Sequence, residues 1–340
     1  MIGLDISDRS VKIVQLSGRE LRLMTHCWHA VPDGTLEHGV IREQRGLVDV
    51  LTKALNACRL GDGRSDAVVA SISETQSFLR VIELPVMAED ELDEAVRWEV
   101  ARHIPFGLEN VYIDWQPVVA GHSPAQDKQE VLVGAAQRRV VDPLIRVLQS
   151  LDIDVAALEL ESQAIVRALI SKELKSQQGL LLVDLGGTVT NVVIHDHGAV
   201  RFTASLQRGV SDLIKLLSRE VAQEMELPRQ REFSVDEKQR IAERLRAGQE
   251  ELVVEILSVV EFYNSIDARH EVKEILLTGG GSNLPGLDAV FLRFFDNVHV
   301  QRGNPWVNTL TAGRERRPPL GLTESVHFTT ALGLALRPTE

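Results

Sequence analysis

Aromatic residues are scarce, at 4% of a 340-residue chain. A core built from them is excluded, so Leu, Val, Ile and Ala must fill it. There are only two cysteines, Cys27 and Cys58, and their spacing is that of no disulfide framework. We expect free thiols and a reducing, cytoplasmic compartment. No apolar run is long enough to cross a bilayer. Any membrane association should therefore come through a partner. The chain starts directly on a strand-like MIGLDIS, so no secretory leader is expected. Basic residues number 37 against 49 acidic ones, for a formal net charge of −12. The RERR run at 314–317 is short and reads as a solvated loop. Nucleic acid is thus disfavoured as the main partner. His26, Cys27, Trp28 and His29 do not suggest a metal site, because alternate strand residues face opposite ways and the ligands diverge. His195 and His197 flank a hairpin turn and read as solvated.

What is present has the balance of a soluble globular protein, 44% apolar and 25% charged. The length suits two domains. Strands are expected at 2–6, 11–16 and 21–30, as a meander. A helix is expected at 44–58, from the spacing of Leu47, Val48, Val50, Leu51, Ala54 and Leu55, then a buried strand at 66–72. Residues 78–84, 89–103, 111–120, 130–136 and 142–151 read as strand, helix, strand, strand, helix. Pro143 falls in the first turn of the last helix, and 154–160 is a candidate closing strand for this small α+β unit. A helix follows at 162–171. The meander then recurs at 180–194 and 199–205. Helices are expected at 212–224 and from Ser234 to about 263, the latter opened by a capping box with Glu237. A strand at 274–277 ends in Thr278, three glycines and Ser282. Asn283 is a candidate cap for a helix reaching about 295, and a short apolar helix spans 328–336.

The segments IGLDISDRSVKIVQL and LLVDLGGTVTNVVIH share one pattern. An apolar strand ends in Asp, small or hydroxyl residues follow, and a second strand begins. Asp5 aligns with Asp184, Ser7 with Gly186, and Ser10 with Thr188 or Thr190. A glycine pair alone is an ordinary tight turn. Two copies about 180 residues apart suggest two similar α/β halves facing each other. Such hairpins present backbone N–H groups to phosphate oxygens, glycine permits close approach, and a strand-end aspartate can hold Mg²⁺ through water. The third segment, EILLTGGGSNLPGLDAVF, runs from a buried strand through three glycines into a helix, where a flat ligand or an anion could approach the backbone.

These three segments resemble the phosphate and adenosine motifs of the superfamily of actin, heat-shock ATPases and sugar kinases. Within it, the chain resembles the PilM family of FtsA-like type IV pilus assembly proteins. The residues that carry this are MIGLDIS with SVKIVQL, VIELPVMAEDELDEAVRWEVARHIPF, LESQAIVRAL, LLVDLGGTVTNVVI and LLTGGGSNLPGL. The resemblance implies an α/β, actin-like two-lobe fold of duplicated ribonuclease H-like domains with an α+β 1C insertion. Lobe I would span 1–77, completed by 158–178 and 320–340. The insertion would span 78–157. Lobe II would span 179–319, with its own insertion at about 206–272.

By the same resemblance, ATP with Mg²⁺ would lie between the lobes. Asp5, Ser7, Ser10 and Lys12 would serve the first phosphate hairpin, and Asp184, Gly186, Gly187 and Thr188 the second. Gly279, Gly280, Gly281 and Ser282 would form the adenosine loop. Asp5 and Asp184 would hold Mg²⁺ through water, and Glu161 would orient an attacking water. The implied partners are the cytoplasmic N-terminal peptide of a PilN-like inner-membrane protein, the pilus motor ATPase, and further copies in a ring. Trp98, Ile104, Pro105 and Phe106 are the candidate partner-binding residues.

Two departures from the family pattern stand out. Ser7 replaces a glycine, and the stretch around Leu227 to Phe233 lacks an adenosine-contacting lysine, for which Lys215 or Arg219 would have to substitute. They keep a nucleotide-free scaffold open as an alternative. A sugar kinase is the enzyme alternative, but such enzymes carry their best motif at the N-terminus, and no base for a sugar hydroxyl is evident here. FtsA ends in a basic amphipathic membrane helix, and residues 331–340 show no such face.

Overall fold

The computed structural model describes residues 1–17, 21–60, 67–104, 107–118, 128–171, 179–229, 231–266, 271–309 and 318–338. The basic run at 314–317, Pro105, Phe106 and most of the polar HSPAQDKQ stretch at 122–129 lie outside them. The first lobe opens with β1 (Ile2–Ile6), β2 (Ser10–Ser17) and β3 (Arg22–Ala30). A two-residue pair, β4 (Leu36–Glu37) and β5 (Val40–Ile41), leads into α1 (Gln44–Ala57) and β6 (Val68–Ile72). The insertion follows as β7 (Ser77–Pro85), α2 (Glu89–His103), β8 (Val111–Pro117) and β9 (Lys128–Gln137). The chain returns through α3 (Arg138–Ser150), β10 (Val155–Leu160) and α4 (Glu161–Leu169).

The second lobe repeats the meander as β11 (Gly179–Leu185), β12 (Thr190–Asp196) and β13 (Ala199–Leu206). Then come α5 (Val210–Ile214), α6 (Arg219–Glu226) and the long α7 (Val235–Ile266). β14 (Val272–Thr278), α8 (Leu287–Phe294) and β15 (His299–Arg302) complete it. α9 (Leu322–Ser325) and α10 (Thr329–Ala335) return to the first lobe. The capping box expected for α7 forms: the Ser234 N–H donates to Glu237 at 2.9 Å, and the Glu237 N–H donates to Ser234 Oγ at 3.2 Å.

Each lobe holds one five-stranded sheet, ordered β10-β6-β1-β2-β3 and β13-β12-β11-β14-β15. The two orders have the same plan, a meander joined to parallel strands. β1 and β11 are buried along nearly their whole length, which explains their unbroken apolar runs. α1 buries Leu47, Val50, Leu51 and Ala54, and α3 buries Leu144, Val147 and Leu148, in one core against the lobe I sheet. α4 lies between the lobes, with Ile165 and Leu169 packed among Leu182, Val193 and Leu276 of the second sheet. α10 presses on α4 so closely that a Cβ on Gly333 would sit 1.9 Å from the Ala164 carbonyl oxygen.

Several expectations are corrected. The strand at 154–160 does not close the inserted unit; β10 pairs in parallel with β6 of the lobe I sheet. α3, expected within the insertion, packs in the lobe I core and starts at Arg138, so Pro143 lies past its first turn. The helix expected at 212–224 is two helices, because Ser218 is extended between them. Gly286, not Asn283, precedes α8, while the Asn283 side chain donates to the Thr323 carbonyl. His195 is buried, and burial pushes its pKa down to about 4. Finally, Cys27 of β3 and Cys58 at the end of α1 are joined by a disulfide, with Cα atoms 5.5 Å apart. Helix-on-sheet packing brings them together across 31 residues, a juxtaposition that spacing alone does not reveal.

Candidate functional site

The β1–β2 turn (hairpin I) and the β11–β12 turn (hairpin II) are built alike and face each other. In hairpin I, Asp5 and Lys12 are register partners, and Lys12 Nζ lies 2.8 Å from Asp5 Oδ2. Ser71 of β6 donates to Asp5 Oδ1 at 3.3 Å. In hairpin II, the register partner of Asp184 is Asn191. The Asn191 amide donates to Glu161 Oε2 at 2.9 Å, and its Oδ1 accepts from Ser205 Oγ at 2.7 Å. Lys12 and Asn191 therefore occupy equivalent positions, each seven residues after its aspartate. Ser10 is equivalent to Val189, between the two threonines with which the sequence aligned it.

Carboxylates crowd this junction. Glu161, buried at the start of α4, accepts from the Glu74 N–H at 3.4 Å, while Ser162 Oγ donates to Glu74 Oε1 at 3.1 Å. Burial, then the charges of Asp5, Asp184 and Glu74, hold the Glu161 carboxyl well above the usual range. Burial also raises Glu74. Asp184 is raised to about 6 by burial, with Lys12 opposing and Asp5 adding. Burial works against the charge of Lys12, but Asp5, Asp184 and Glu161 together outweigh it and the net shift is upward. Like charges brought together out of water have this effect. The arrangement has an excess of negative charge that a divalent cation would relieve. Among the described residues no three His, Cys, Asp or Glu side chains converge as direct metal ligands. The donor set thus fits a cation that keeps its waters and takes few carboxylates.

The third segment closes the site. β14 runs parallel to β11, with Thr278 beside Asp184. The chain then turns at Gly279, where φ is +75°. A Cβ there would lie 2.3 Å from Asp184 Oδ1, so only glycine fits both the backbone and the space. Ser282 is buried and donates to the Gly279 carbonyl at 2.7 Å. It shapes the loop. His327 packs against Gly280, and burial, with Lys12 nearby, pushes its pKa down to about 3.

A cavity of about 350 Å³ lies at this junction. The residues put forward from the two hairpins, Glu161 and the three loop glycines all line it; Ser282 does not. Sequence reasoning missed Arg9, Asn191, Glu226, His327 and Thr330. Asn191 was detectable by counting seven residues from Asp184. Glu226 and His327 come from distant elements and carry no local signal. Lys215, offered as a substitute adenosine contact, is 70% exposed and paired with Asp212. Neither it nor Arg219 lines the cavity.

Of the candidate partner residues, the two that are described do not share a surface. Trp98 is 70% exposed on α2, whereas Ile104 is buried in the core of the insertion with Val96, Val100 and Val131. Ile104 is therefore corrected to a packing residue. A different groove, about 610 Å³, lies where the insertion meets lobe I. Among the described residues, β8 on one side pairs only with β9, and β10 on the other pairs only with β6. Two such strand edges thus flank it, and Ile113, Trp115, Leu158, Arg167 and Arg337 are among the residues that line it. Both arginines pair with buried Glu159. The insertion also touches lobe II, through a buried ion pair from Glu130 to Arg201 at 2.7 Å.

Comparison with known proteins agrees with this architecture. A solved structure of a PilM-PilN type IV pilus biogenesis complex superposes with a TM-score of 0.80 at 26% identity, covering 98% of this chain and 97% of that one. The ethanolamine utilization protein EutJ from Carboxydothermus hydrogenoformans shares the fold, with a TM-score of 0.57 at 14% identity over 98% of this chain and 88% of that one. Residues 3–339 match the family described as type IV pilus assembly protein PilM. This chain, with its two actin-like lobes, belongs to that family.

Proposed function

We propose that this protein is an ATP-binding adaptor of type IV pilus assembly that captures the N-terminal peptide of a PilN-like inner-membrane protein. The observation that carries the nucleotide half is the convergence of both hairpins and the glycine loop on one cavity. Backbone N–H groups of Gly187 and Thr188 would bind phosphate oxygens, while the Gly186 N–H closes the hairpin on the Val189 carbonyl. Asp5 and Asp184 would hold Mg²⁺ through its waters, and the cation would supply charge neutralisation at the phosphates. Glu161 Oε2 already accepts from the Asn191 amide and the Glu74 N–H, so it would be poorly placed to activate water and any hydrolysis should be slow.

The groove between β8 and β10 supports the peptide half. An extended segment can add its backbone to an unpaired strand edge while apolar walls take alternate side chains. On this reading the peptide would lie against Trp115 and Leu158, and not on Trp98, which does not line the groove. The Glu130–Arg201 pair ties the insertion to lobe II, so lobe closure would alter the groove. Nucleotide would then act through its differential affinity for the two lobe arrangements. Attachment to the inner membrane, within a cytoplasmic ring that contacts the motor ATPase, follows from this reading.

The test is thermal unfolding with and without Mg-ATP, on wild type and Asp184→Ala, followed by titration with the peptide. A ligand at a hundred times its Kd adds about 2.7 kcal/mol. A shift that disappears in the variant, with peptide affinity that changes with nucleotide, supports the reading. A second reading, a nucleotide-free scaffold, is favoured by Asp8: its carboxylate reaches across from hairpin I and accepts from Thr188 Oγ1 at 3.2 Å, which occupies a hydroxyl that a phosphate would use. That reading requires no shift at millimolar Mg-ATP and unchanged peptide binding.

A further inference from the structure

We propose that Arg9 is the cation that receives a polyphosphate in the cleft, and that Glu226 holds it beforehand as a stand-in for phosphate. The inference rests on the nucleotide reading above. Arg9 stands in hairpin I where Thr188 stands in hairpin II, four residues after each aspartate. Its stem lies on Gly187, where a Cβ would come within 2.7 Å of Arg9 Cγ. Hairpin II therefore leaves room for this side chain. The guanidinium lines the interlobe cavity. One nitrogen pairs with Asp33 of lobe I, and the other reaches Glu226 of lobe II at 3.3 Å.

Charge singles out this residue. The described residues lining the cavity include five carboxylates, Asp5, Asp33, Glu161, Asp184 and Glu226, against Arg9 and Lys12. Lys12 is held by Asp5, whose side chain is only 4% exposed. The partners of Arg9 are open to solvent, at 86% for Asp33 and 34% for Glu226. Ion pairs so exposed are weak and exchangeable. A polyphosphate offers several anionic oxygens, which suit the planar fork of a guanidinium better than two separate carboxylates do. With its stem anchored on Gly187, Arg9 needs only to turn its head group. The exchange would open the Arg9–Glu226 link and replace it with a link through the ligand.

The experiment measures affinities for Mg-ATP and for adenosine on the full chain. It uses wild type, Arg9→Ala, Arg9→Lys, Glu226→Gln and the Arg9→Ala/Glu226→Gln pair. We expect Arg9→Ala to weaken Mg-ATP about tenfold or more and leave adenosine unchanged. Arg9→Lys should keep part of the affinity. Glu226→Gln should tighten Mg-ATP, a gain that vanishes in the double variant. Wild-type affinity in Arg9→Ala, or equal losses for ATP and adenosine, overturns the proposal while the nucleotide reading stands. If neither wild type nor Glu226→Gln binds Mg-ATP or adenosine, both fall. Binding by Glu226→Gln alone would show the stand-in at full strength.

Discussion

Hairpins I and II close with the same backbone bond. The Ser7 N–H donates to the Ser10 carbonyl and the Gly186 N–H to the Val189 carbonyl, both at 3.0 Å. Their tips differ. Hairpin II has Gly186, Gly187, Thr188 and Val189, small or neutral, with no charged side chain at its tip. Hairpin I has Ser7, Asp8, Arg9 and Ser10, polar and charged. Asp8 there accepts from the His38 and Gly39 N–H groups at 2.8 and 2.9 Å, which ties the tip to the lobe I surface. One duplicated frame thus carries two tasks. In the proposed reading hairpin II would offer backbone to a ligand, while hairpin I would offer side chains and organises its own lobe. The contrast continues behind the strands, where a lysine faces Asp5 and an amide faces Asp184.

The largest expected effect concerns a staple that the described residues place in lobe I alone. Reducing the Cys27–Cys58 bond, or replacing both residues with alanine, releases a 31-residue loop and should cost about 4 kcal/mol. Calorimetry with and without reductant measures this, and equal melting would mean the bond contributes nothing in solution. Next is Asn191→Ala, which leaves Glu161 and Ser205 without their shared partner. We expect a loss of about 1–3 kcal/mol in urea unfolding.

A smaller change of opposite sign is expected from Asp184→Asn. Folding raises the Asp184 pKa to about 6, so the folded state binds this proton more tightly than the unfolded chain does. Its contribution is fully present below the ordinary carboxylate pKa and is lost as pH rises through about 6. The variant should therefore be more stable than wild type above pH 6, on the order of 1 kcal/mol given partial exposure to solvent, while losing stabilisation by Mg-ATP. Melting temperatures across pH 4–8 test the sign. The smallest effect belongs to Ser7→Gly, which makes hairpin I more like hairpin II. Stability should change by within about 0.5 kcal/mol, and Mg-ATP should bind modestly tighter by titration. Weaker binding would mean that the Ser7 hydroxyl, which donates to the Ser10 carbonyl at 3.0 Å, is needed for the turn.

Much of the site was legible because tight turns impose local demands. Gly186, Gly187 and Gly279 stand where backbone must bend or come close, and such positions show in any sequence. Strand-end aspartates in matching segments identified Asp5 and Asp184 for the same reason. The capping box of Ser234 and Glu237 was readable because its two bonds span three residues. The misreadings have a common cause as well. β10 has the same alternation whether it closes the insertion or joins β6. Ile104 has the same helical spacing whether it faces a partner or its own core. In each case the element was local and its neighbour was not.

The sequence by itself determined the duplication, the turns and the identity of the two hairpins that line the cavity, because these depend on residues within a few positions of one another. Only the tertiary structure decided that Cys27 meets Cys58, that Asn191 holds Glu161, that Arg9 reaches Glu226, and that β8 and β10 leave two edges facing one groove. Those contacts join residues up to 217 positions apart. Their formation depends on how whole sheets and helices pack, which no local pattern of residues encodes.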